Sequence, residues 1–303
     1  MDLLSDVVAA MRTGRPVAAR VAWQEPWGQR FAPVPGASGF QVVLEGTCWF
    51  IRDHADPVEL REGDVVFLPD GRGHALADSP TTPLTSQACD PNDPAFAADH
   101  PAPEHPTTVT LCGAYELEHV HPLLRDLPDV VLASGPELRS AVTLLAGELE
   151  HPRLGSDALV PALLDTLLLY LLRTWFTGSD RAAGWSAALN DPVTATALHH
   201  MHRDPAHPWT VASLATTTGL SRAPFAKRFT ALVGRPPLTY LTWWRMTTAA
   251  RLLRDTDAPL ATIATRVGYT SEFAFAAAFK RTHHTAPGHY RRTLRNPAPT
   301  TRA

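Results

Sequence analysis

The 303-residue sequence has few cysteines, and they are widely spaced. Cys48, Cys89 and Cys112 are too few and too scattered for a disulfide framework, which excludes the class of small disulfide-stapled secreted domains. The first residues, MDLLSDVVAAMRTGR, also lack the basic start and the small-residue cleavage site of a secretory signal. Both absences favour a reducing, cytoplasmic location.

A long unbroken hydrophobic run is also missing. The most apolar stretch, residues 158–176, is interrupted by Pro161 and Asp165 and ends near Arg173, so we expect a helix inside the protein and no membrane span. Nearly every face of this helix is apolar, and little chain surrounds it. We therefore expect residues 131–184 to form a helical dimerisation and linker segment that joins two copies of the chain as a homodimer.

The formal net charge of -3 conceals two regions of opposite sign. From Asp191 onward there are 15 arginines and lysines against 5 acidic residues, whereas residues 1–190 hold 12 basic and 25 acidic residues. The two regions therefore carry charges of +10 and -13. A basic C-terminal third predicts a module that binds a polyanion, attached to a region that does not. Two oppositely charged domains that dock on each other are the plainer alternative.

The N-terminal half has the sequence pattern of β-strands. Residues 36–78 alternate apolar and polar side chains in short runs separated by glycine, aspartate and proline, which is typical of a small antiparallel barrel or sandwich. Residues 79–107 are rich in proline and aspartate and predict an exposed loop, after which 108–118 returns to strand character. Beyond residue 135 the periodicity becomes helical, with a linker at 177–185.

The basic region contains an internal repeat. VASLATTTGLSRAPFAKRF at 211–229 and LATIATRVGYTSEFAFAAAFKR at 260–281 each place an alanine-rich helix, a glycine, a serine and a second helix with phenylalanines four residues apart. The glycine suits a sharp left-handed turn, and the serine is a good N-cap. Each copy therefore predicts a helix-turn-helix. The helices of the whole region are predicted at 191–203, 210–217, 221–232, 237–254, 259–266, 271–282 and 287–293.

With Phe225 and Phe229 facing inward, the second helix of the first copy presents a small, basic surface that can enter a major groove. The predicted DNA-binding residues of this copy are Ser221, Arg222, Ala223, Ala226, Lys227 and Thr230. Those of the second copy are Thr270, Ser271, Glu272, Lys280 and Arg281. Because the second copy's helix is rich in alanine, we expect it to supply mainly phosphate and shape contacts, with base discrimination coming from the first.

Residues 191–295 resemble the AraC/XylS-type DNA-binding domain. The resemblance extends through WTVASLATTTGLSRAPFAKRF, GRPPLTYLTWWRM, AARLLRDTDAPLATIATRVGYTSEFAFAAAFKR and APGHYRR. It implies two helix-turn-helix subdomains bridged by a long helix, with two recognition helices in adjacent major grooves of double-stranded DNA. It also implies a cytoplasmic transcription regulator, for which RNA polymerase is a further expected partner.

The segment EGDVVFLPDGRGHALAD resembles a cupin half-motif, and residues 1–130 are similar to the cupin-like sensor domain of some AraC-type regulators. The resemblance implies an effector pocket, for which Gln41 and His74 are candidates. Cupins often hold a metal, and His74, Cys112 and His121 (or the histidine at 119) could hold zinc or another divalent ion. Thiol redox sensing and a small organic effector are the alternatives.

The expected fold is multidomain α+β: a cupin-like β-barrel at 1–130, the helical dimerisation segment at 131–184, and an all-α domain with two helix-turn-helix motifs at 191–295. The expected function is sequence-specific DNA binding by a regulator that is not an enzyme and has no catalytic residues. A metal-dependent cupin enzyme with an appended DNA-binding domain is the alternative. It would need a fuller ligand set, since the strand GFQVVLEG has Gln41 where a histidine could stand and no His-x-His.

Overall fold

In the computed structural model of the chain, the described residues are 3–11, 17–34, 36–85, 88–89, 103–116, 122–178 and 184–295. Contacts divide the chain into two compact units. Met11–Ser179 forms the strand unit, and Met1–Ala10 together with Asp180–Ala303 forms the helical unit. The helical segment after residue 131 belongs to the strand unit, and the first helix belongs to the helical unit.

The strand unit is built on two five-stranded sheets. Its described strands are β1 (Val17–Trp23), β2 (Gly28–Phe31), β3 (Ala37–Glu45), β4 (Thr47–Ile51), β5 (Val58–Arg61), β6 (Val65–Leu68), β7 (His74–Ala77), β8 (Ala88–Cys89), β9 (Thr108–Glu116) and β10 (Val131–Ala133). One sheet has the order β1-β9-β3-β6-β10, and the other has the order β5-β4-β7-β2-β8. All pairings are antiparallel except that of β2 with β8. The strands predicted within 36–78 and 108–118 are therefore confirmed.

The prediction of a closed barrel is wrong, because the two sheets form an open sandwich. Within the part of the chain that the structure describes, no strand pairing joins one sheet to the other. The strands of the second sheet are two to five residues long, too short to bend and close against the first sheet. Apolar side chains of both sheets, such as Val43 and Phe50, instead fill one shared core.

The strand unit also contains α2 (Pro122–Arg125), α3 (Pro136–Glu150) and α4 (Ser156–Gly178), and α3 packs against α4. Pro161 and Asp165 lie within α4 and do not interrupt it, and by length and composition alone this 23-residue helix is apolar enough to cross a membrane. The helix does contribute to a protein core, since its leucines at 164, 168 and 172 are buried.

The helical unit contains α1 and all helices after residue 183. Its described helices are α1 (Leu3–Met11), α5 (Gly184–Asn190), α6 (Pro192–Arg203), α7 (Val211–Thr217), α8 (Arg222–Val233), α9 (Pro237–Asp255), α10 (Leu260–Arg266), α11 (Glu272–His283) and α12 (Pro287–Arg295). The seven helices predicted from residue 191 onward are confirmed, with ends that differ by at most two residues.

Candidate nucleic-acid interface

The first helix-turn-helix consists of α7 and α8, joined by a sharp turn. Gly219 in this turn has a φ of 73°, a left-handed conformation that residues with a Cβ adopt only at a cost. A capping box begins α7: the Thr210 hydroxyl accepts from the Ser213 backbone N–H, and the Ser213 hydroxyl accepts from that of Thr210. Ser221 holds the predicted N-cap position of α8, although its hydroxyl makes no capping hydrogen bond.

The second helix-turn-helix, α10 and α11, repeats this construction. Gly268 has a φ of 81°, and a Cβ added there would lie 2.7 Å from Nη2 of Arg245. The Ser271 hydroxyl accepts from the backbone N–H of Ala274 at 3.4 Å and caps α11. The internal repeat predicted from the sequence is therefore a repeat of structure as well.

Paired phenylalanines anchor both recognition helices, α8 and α11, to the cores beneath them. Phe225 and Phe229 on α8, like Phe275 and Phe279 on α11, have no exposed surface. The ring centroids lie 5.8 Å apart in each pair. Because each pair fixes the inward face of its helix, the opposite face must point to solvent.

The predicted DNA-binding residues lie on these outward faces. On α8 and at its N-cap, Ser221, Arg222, Ala223 and Lys227 are exposed, whereas Ala226 and Thr230 are half-buried. All five predicted residues of the second unit are exposed, namely Thr270, Ser271, Glu272, Lys280 and Arg281. The structure thus groups the predicted residues on two surfaces, each at the start of a recognition helix or along its outward side.

One prominent residue of the second surface is not among the residues predicted from the sequence. Phe273, the second residue of α11, is 89% exposed. In the sequence it lies two residues before Phe275, and its residue type alone does not distinguish it from the buried phenylalanines. The internal repeat could have indicated that Phe273 faces outward, because the counterpart of Phe273 in the first unit is Ala223, an outward-facing residue.

One arginine of α8, half of whose side chain is exposed, is engaged in an ion pair within the protein. Arg228 forms a two-pronged ion pair with Asp191, in which its Nε donates to Oδ2 at 3.1 Å and its Nη2 donates to Oδ1. Asp191 also caps α6 by accepting from the backbone N–H and the hydroxyl of Thr194. Burial alone would raise the pKa of Asp191, but the hydrogen bonds from Arg228 and Thr194 hold it below its usual value.

The long helix α9 connects the two helix-turn-helix units, and its residue Arg245 contacts segments next to both units. Its Nε donates to the carbonyl of Pro205 at 2.7 Å, and its Nη2 donates to that of His207 at 2.9 Å. The guanidinium also lies 6.0 Å from the ring centroid of Tyr269, within the turn of the second unit. Arg245 therefore ties the loop before α7 to the turn before α11.

In the strand unit, the structure brings together the two candidate pocket residues. Nε2 of Gln41 lies 2.9 Å from Nε2 of His74, and Nδ1 of His74 lies 3.2 Å from the carbonyl oxygen of Arg72. A carbonyl oxygen only accepts, so Nδ1 carries the proton and Nε2 accepts from the Gln41 amide. Burial lowers the pKa of His74 to about 4, and its ring stacks on Phe31 with centroids 4.8 Å apart. Among the described polar atoms, Gln41 Oε1 is buried without a hydrogen-bond partner.

The three cysteines are buried in the shared core of the sandwich. Burial raises the pKa of Cys48 to about 12 and raises that of Cys112 further. Both thiols therefore stay protonated near neutral pH, where a redox sensor needs a thiolate. This chemistry weighs against thiol sensing.

Two of the three predicted metal ligands are in the described part of the chain, and His121 lies outside it. The Nε2 lone pair of His74 is taken by the Gln41 amide, and Cys112 is a protonated thiol. Over the described ranges, no group of three or more histidine, cysteine, aspartate or glutamate side chains is arranged to hold a metal. The residues described there do not fit a zinc site.

A cavity of about 380 Å³ opens beside His74 in the second sheet. Phe31, Ile51 and Leu84 supply apolar walls, and Arg30 and Arg52 supply positive charge. The volume suits a small organic molecule, since ligand pockets in proteins commonly measure about 300–1,000 Å³.

Comparison with known proteins agrees with this architecture. A cupin family model matches residues 2–177, and a helix-turn-helix domain model matches residues 214–293. Putative AraC-like transcription regulators of Streptomyces lividans and Streptomyces antibioticus are each 37% identical to the chain. Both alignments cover 96% of this chain, and they cover 98% and 99% of those proteins. The HTH-type transcriptional regulator AlkR of Acinetobacter baylyi is 29% identical, with 96% of this chain and 99% of AlkR covered.

Proposed function

This chain belongs to the AraC family of DNA-binding transcription regulators and has a cupin-like domain, and on that premise we propose that it recognises a specific operator in double-stranded DNA. One observation supports this proposal above the others. Two recognition helices present exposed faces with cationic side chains, and each helix is fixed by a buried phenylalanine pair. Such faces suit major-groove recognition, with phosphate contacts adding affinity.

The first recognition helix supplies base recognition in this proposal, because Arg222 is exposed at its first position and Lys227 is exposed in its second turn. Arginine and lysine donate well to the O6 and N7 atoms of guanine. Glu272 on the second helix can accept from a cytosine amino group, and Lys280 and Arg281 serve phosphates. Arg228 has no such role, because Asp191 holds it.

The test begins with the full-length chain and a pool of random duplexes, from which an operator is selected. We expect Lys227→Ala and Arg222→Ala each to weaken binding to the selected duplex about 10-fold, with much smaller losses on a scrambled duplex. Arg61→Ala removes an exposed arginine of the strand unit and should change neither. Equal losses on both duplexes would contradict base recognition, and failure to retard any duplex at low salt would contradict DNA binding itself.

We further propose that the cavity beside His74 binds a small organic anion that serves as the effector. The described lining residues of the cavity include two arginines, at 30 and 52, and one carboxylate, that of Asp53, so positive charge is in excess. Gln41 fixes the tautomer of His74. Operator binding measured with fractions of a cell metabolite extract tests this proposal. A response that Arg52→Gln abolishes supports it, and a response that Arg52→Gln leaves intact contradicts it.

The chain acts as a cytoplasmic homodimer in this proposal, with RNA polymerase as a further partner. Support for the homodimer comes from apolar residues left on the surface of the helices α3 and α4, where Leu144 is 61% and Leu159 is 47% exposed. Sedimentation of the wild type and of Leu159→Glu checks it. We expect a dimer for the first and a monomer for the second.

A further inference from the structure

Phe273 is exposed where the other described phenylalanines are buried. Its 89% exposure sets an apolar ring in water, an arrangement that often marks a contact surface. Its neighbours Phe275 and Phe279, in contrast, have no exposed surface. Among the described residues of the helical unit, no packing explains why a large apolar side chain stands at this position.

The ring stands at the centre of the outward face of α11. Residues 273, 277 and 280 share one stripe of the helix, at spacings of four and three residues. Phe275 and Phe279 lie on the opposite side, in the core. Phe273 also belongs to the first turn, and it is the N-terminal residues of a recognition helix that contact base edges.

The surroundings of Phe273 favour a close approach to duplex DNA. Ala274 and Ala277 are exposed and Ala276 is half-buried, so the ring projects beyond small neighbours. Lys280 and Arg281 follow on exposed positions of the last turns and can contact phosphates. A protein partner would need no such cationic border, whereas a polyanion does.

A phenyl ring neither donates nor accepts a conventional hydrogen bond, so it cannot recognise the polar edges of a base pair. The C5 methyl group of thymine is the apolar group that the major groove displays. We propose that Phe273 contacts the methyl group of a thymine and thereby selects thymine at one position of the half-site bound by α11. This inference rests on the proposed operator binding, and it adds one base contact to the mainly phosphate and shape contacts expected of α11.

The two recognition helices differ at corresponding positions of the repeat. The counterpart of Phe273 on α8 is Ala223, while the counterpart of Ala277 is Lys227. The first recognition helix therefore presents a small residue followed by a cation, and the second presents a large apolar ring followed by a small residue. Only the half-site of α11 should depend on a thymine methyl group contacted by a phenylalanine.

The experiment replaces single thymines of the selected operator by deoxyuridine, which removes the methyl group and leaves the hydrogen-bonding edges unchanged. Affinities of the full-length wild type, Phe273→Ala and Leu238→Ala are measured by fluorescence anisotropy at one fixed salt concentration. Leu238 is the matched control, because it is an exposed apolar residue of the same unit outside both recognition helices. Thermal unfolding of each variant verifies that the fold is retained.

We expect the wild type to lose about four-fold in affinity for deoxyuridine at one or two positions of one half-site, the value of one buried methyl group. Phe273→Ala should bind the thymine operator more weakly and lose its preference for thymine over deoxyuridine. Leu238→Ala should behave as the wild type does.

Three results would overturn the inference. The wild type could tolerate every deoxyuridine, or Phe273→Ala could retain the full preference for thymine. Phe273→Ala could also leave DNA affinity unchanged and alter the oligomeric state instead, which would make the ring a protein contact. In each of these cases, the proposed function is still supported if the wild type selects an operator. If the wild type binds no duplex, the proposed function itself is contradicted.

Discussion

The carboxylate of Asp6 and the imidazole of His202 lie 3.6 Å apart, Oδ2 to Nδ1, with only 10% and 1% of these side chains exposed. The other ring nitrogen of His202 lies 2.7 Å from the Tyr240 hydroxyl, and the ring stacks on Trp244 at a centroid distance of 3.6 Å. The carboxylate favours a proton on Nδ1, so Nε2 accepts from Tyr240. Burial nevertheless lowers the pKa of His202, and Asp6 opposes that shift. The start of the chain is therefore part of the core of the helical unit.

The Asp6–His202 contact predicts a stability effect at a residue far in sequence from the helix-turn-helix units. We expect Asp6→Ala to lower the free energy of unfolding by about 1–2 kcal/mol, because Nδ1 of His202 loses the carboxylate that faces it in a buried site. Asp6→Asn keeps an accepting oxygen and should lose less. Urea unfolding followed by tryptophan fluorescence measures both. Asp56→Ala, at an exposed carboxylate, is the control. A loss no larger than that of this control would contradict the prediction.

His74 predicts an acid-sensitive strand unit. Because burial lowers its folded-state pKa from an ordinary 6.5 to about 4, the folded state binds fewer protons than the unfolded state between these values. The contribution of neutral His74 to the free energy of unfolding is complete above pH 6.5. It is lost as the pH falls towards 4, by about 3 kcal/mol in all. His74→Phe keeps a ring against Phe31 but cannot titrate, so unfolding free energies over this interval should fall less steeply.

The matched control for His74 is His151→Phe, which removes an exposed histidine of the same unit. Its unfolding free energy should follow the wild-type slope between pH 6.5 and 4. A slope that His74→Phe leaves unchanged would mean that another group takes up the proton.

Arg245 predicts that the geometry between the recognition helices affects specificity. Arg245→Lys keeps the charge but cannot donate to the Pro205 and His207 carbonyls and face Tyr269 with one planar group. We expect the dissociation constant for the selected operator to rise about 10-fold, the effect of losing a charged hydrogen bond, with little change on a scrambled duplex. Arg254→Lys on the same helix should leave both values unchanged. Parallel losses on the two duplexes would contradict a positioning role.

The chain has only two lysines, Lys227 and Lys280, and each lies exposed on a recognition helix. An amine-reactive reagent should label both in the free protein, and the selected operator should protect both. Mass spectrometry of the digested protein measures the labelling, with the N-terminal amine as the internal reference. Protection of Lys227 without Lys280 would show that only α8 lies against the DNA.

The sequence by itself determined the helical unit almost to the residue from 191 onward. A turn glycine, a capping serine and phenylalanines four apart act through contacts within one or two helical turns, so a short stretch such as GLSRAPFAKRF contains enough information. The outward position of Lys227 followed from the same local periodicity, and the charge division followed from counting charged residues.

Only the tertiary structure decided the features that depend on distant partners. Val7 and Val8 would suit any core, and the contact between Asp6 and His202 assigns their helix to the helical unit. Gln41 and His74 meet because β3 and β7 belong to sheets that face each other, and sheet closure depends on strand pairings across the whole unit. Phe273 depends most clearly on tertiary structure. Whether a phenylalanine in an apolar helix is buried or exposed depends on what the rest of the fold places against it.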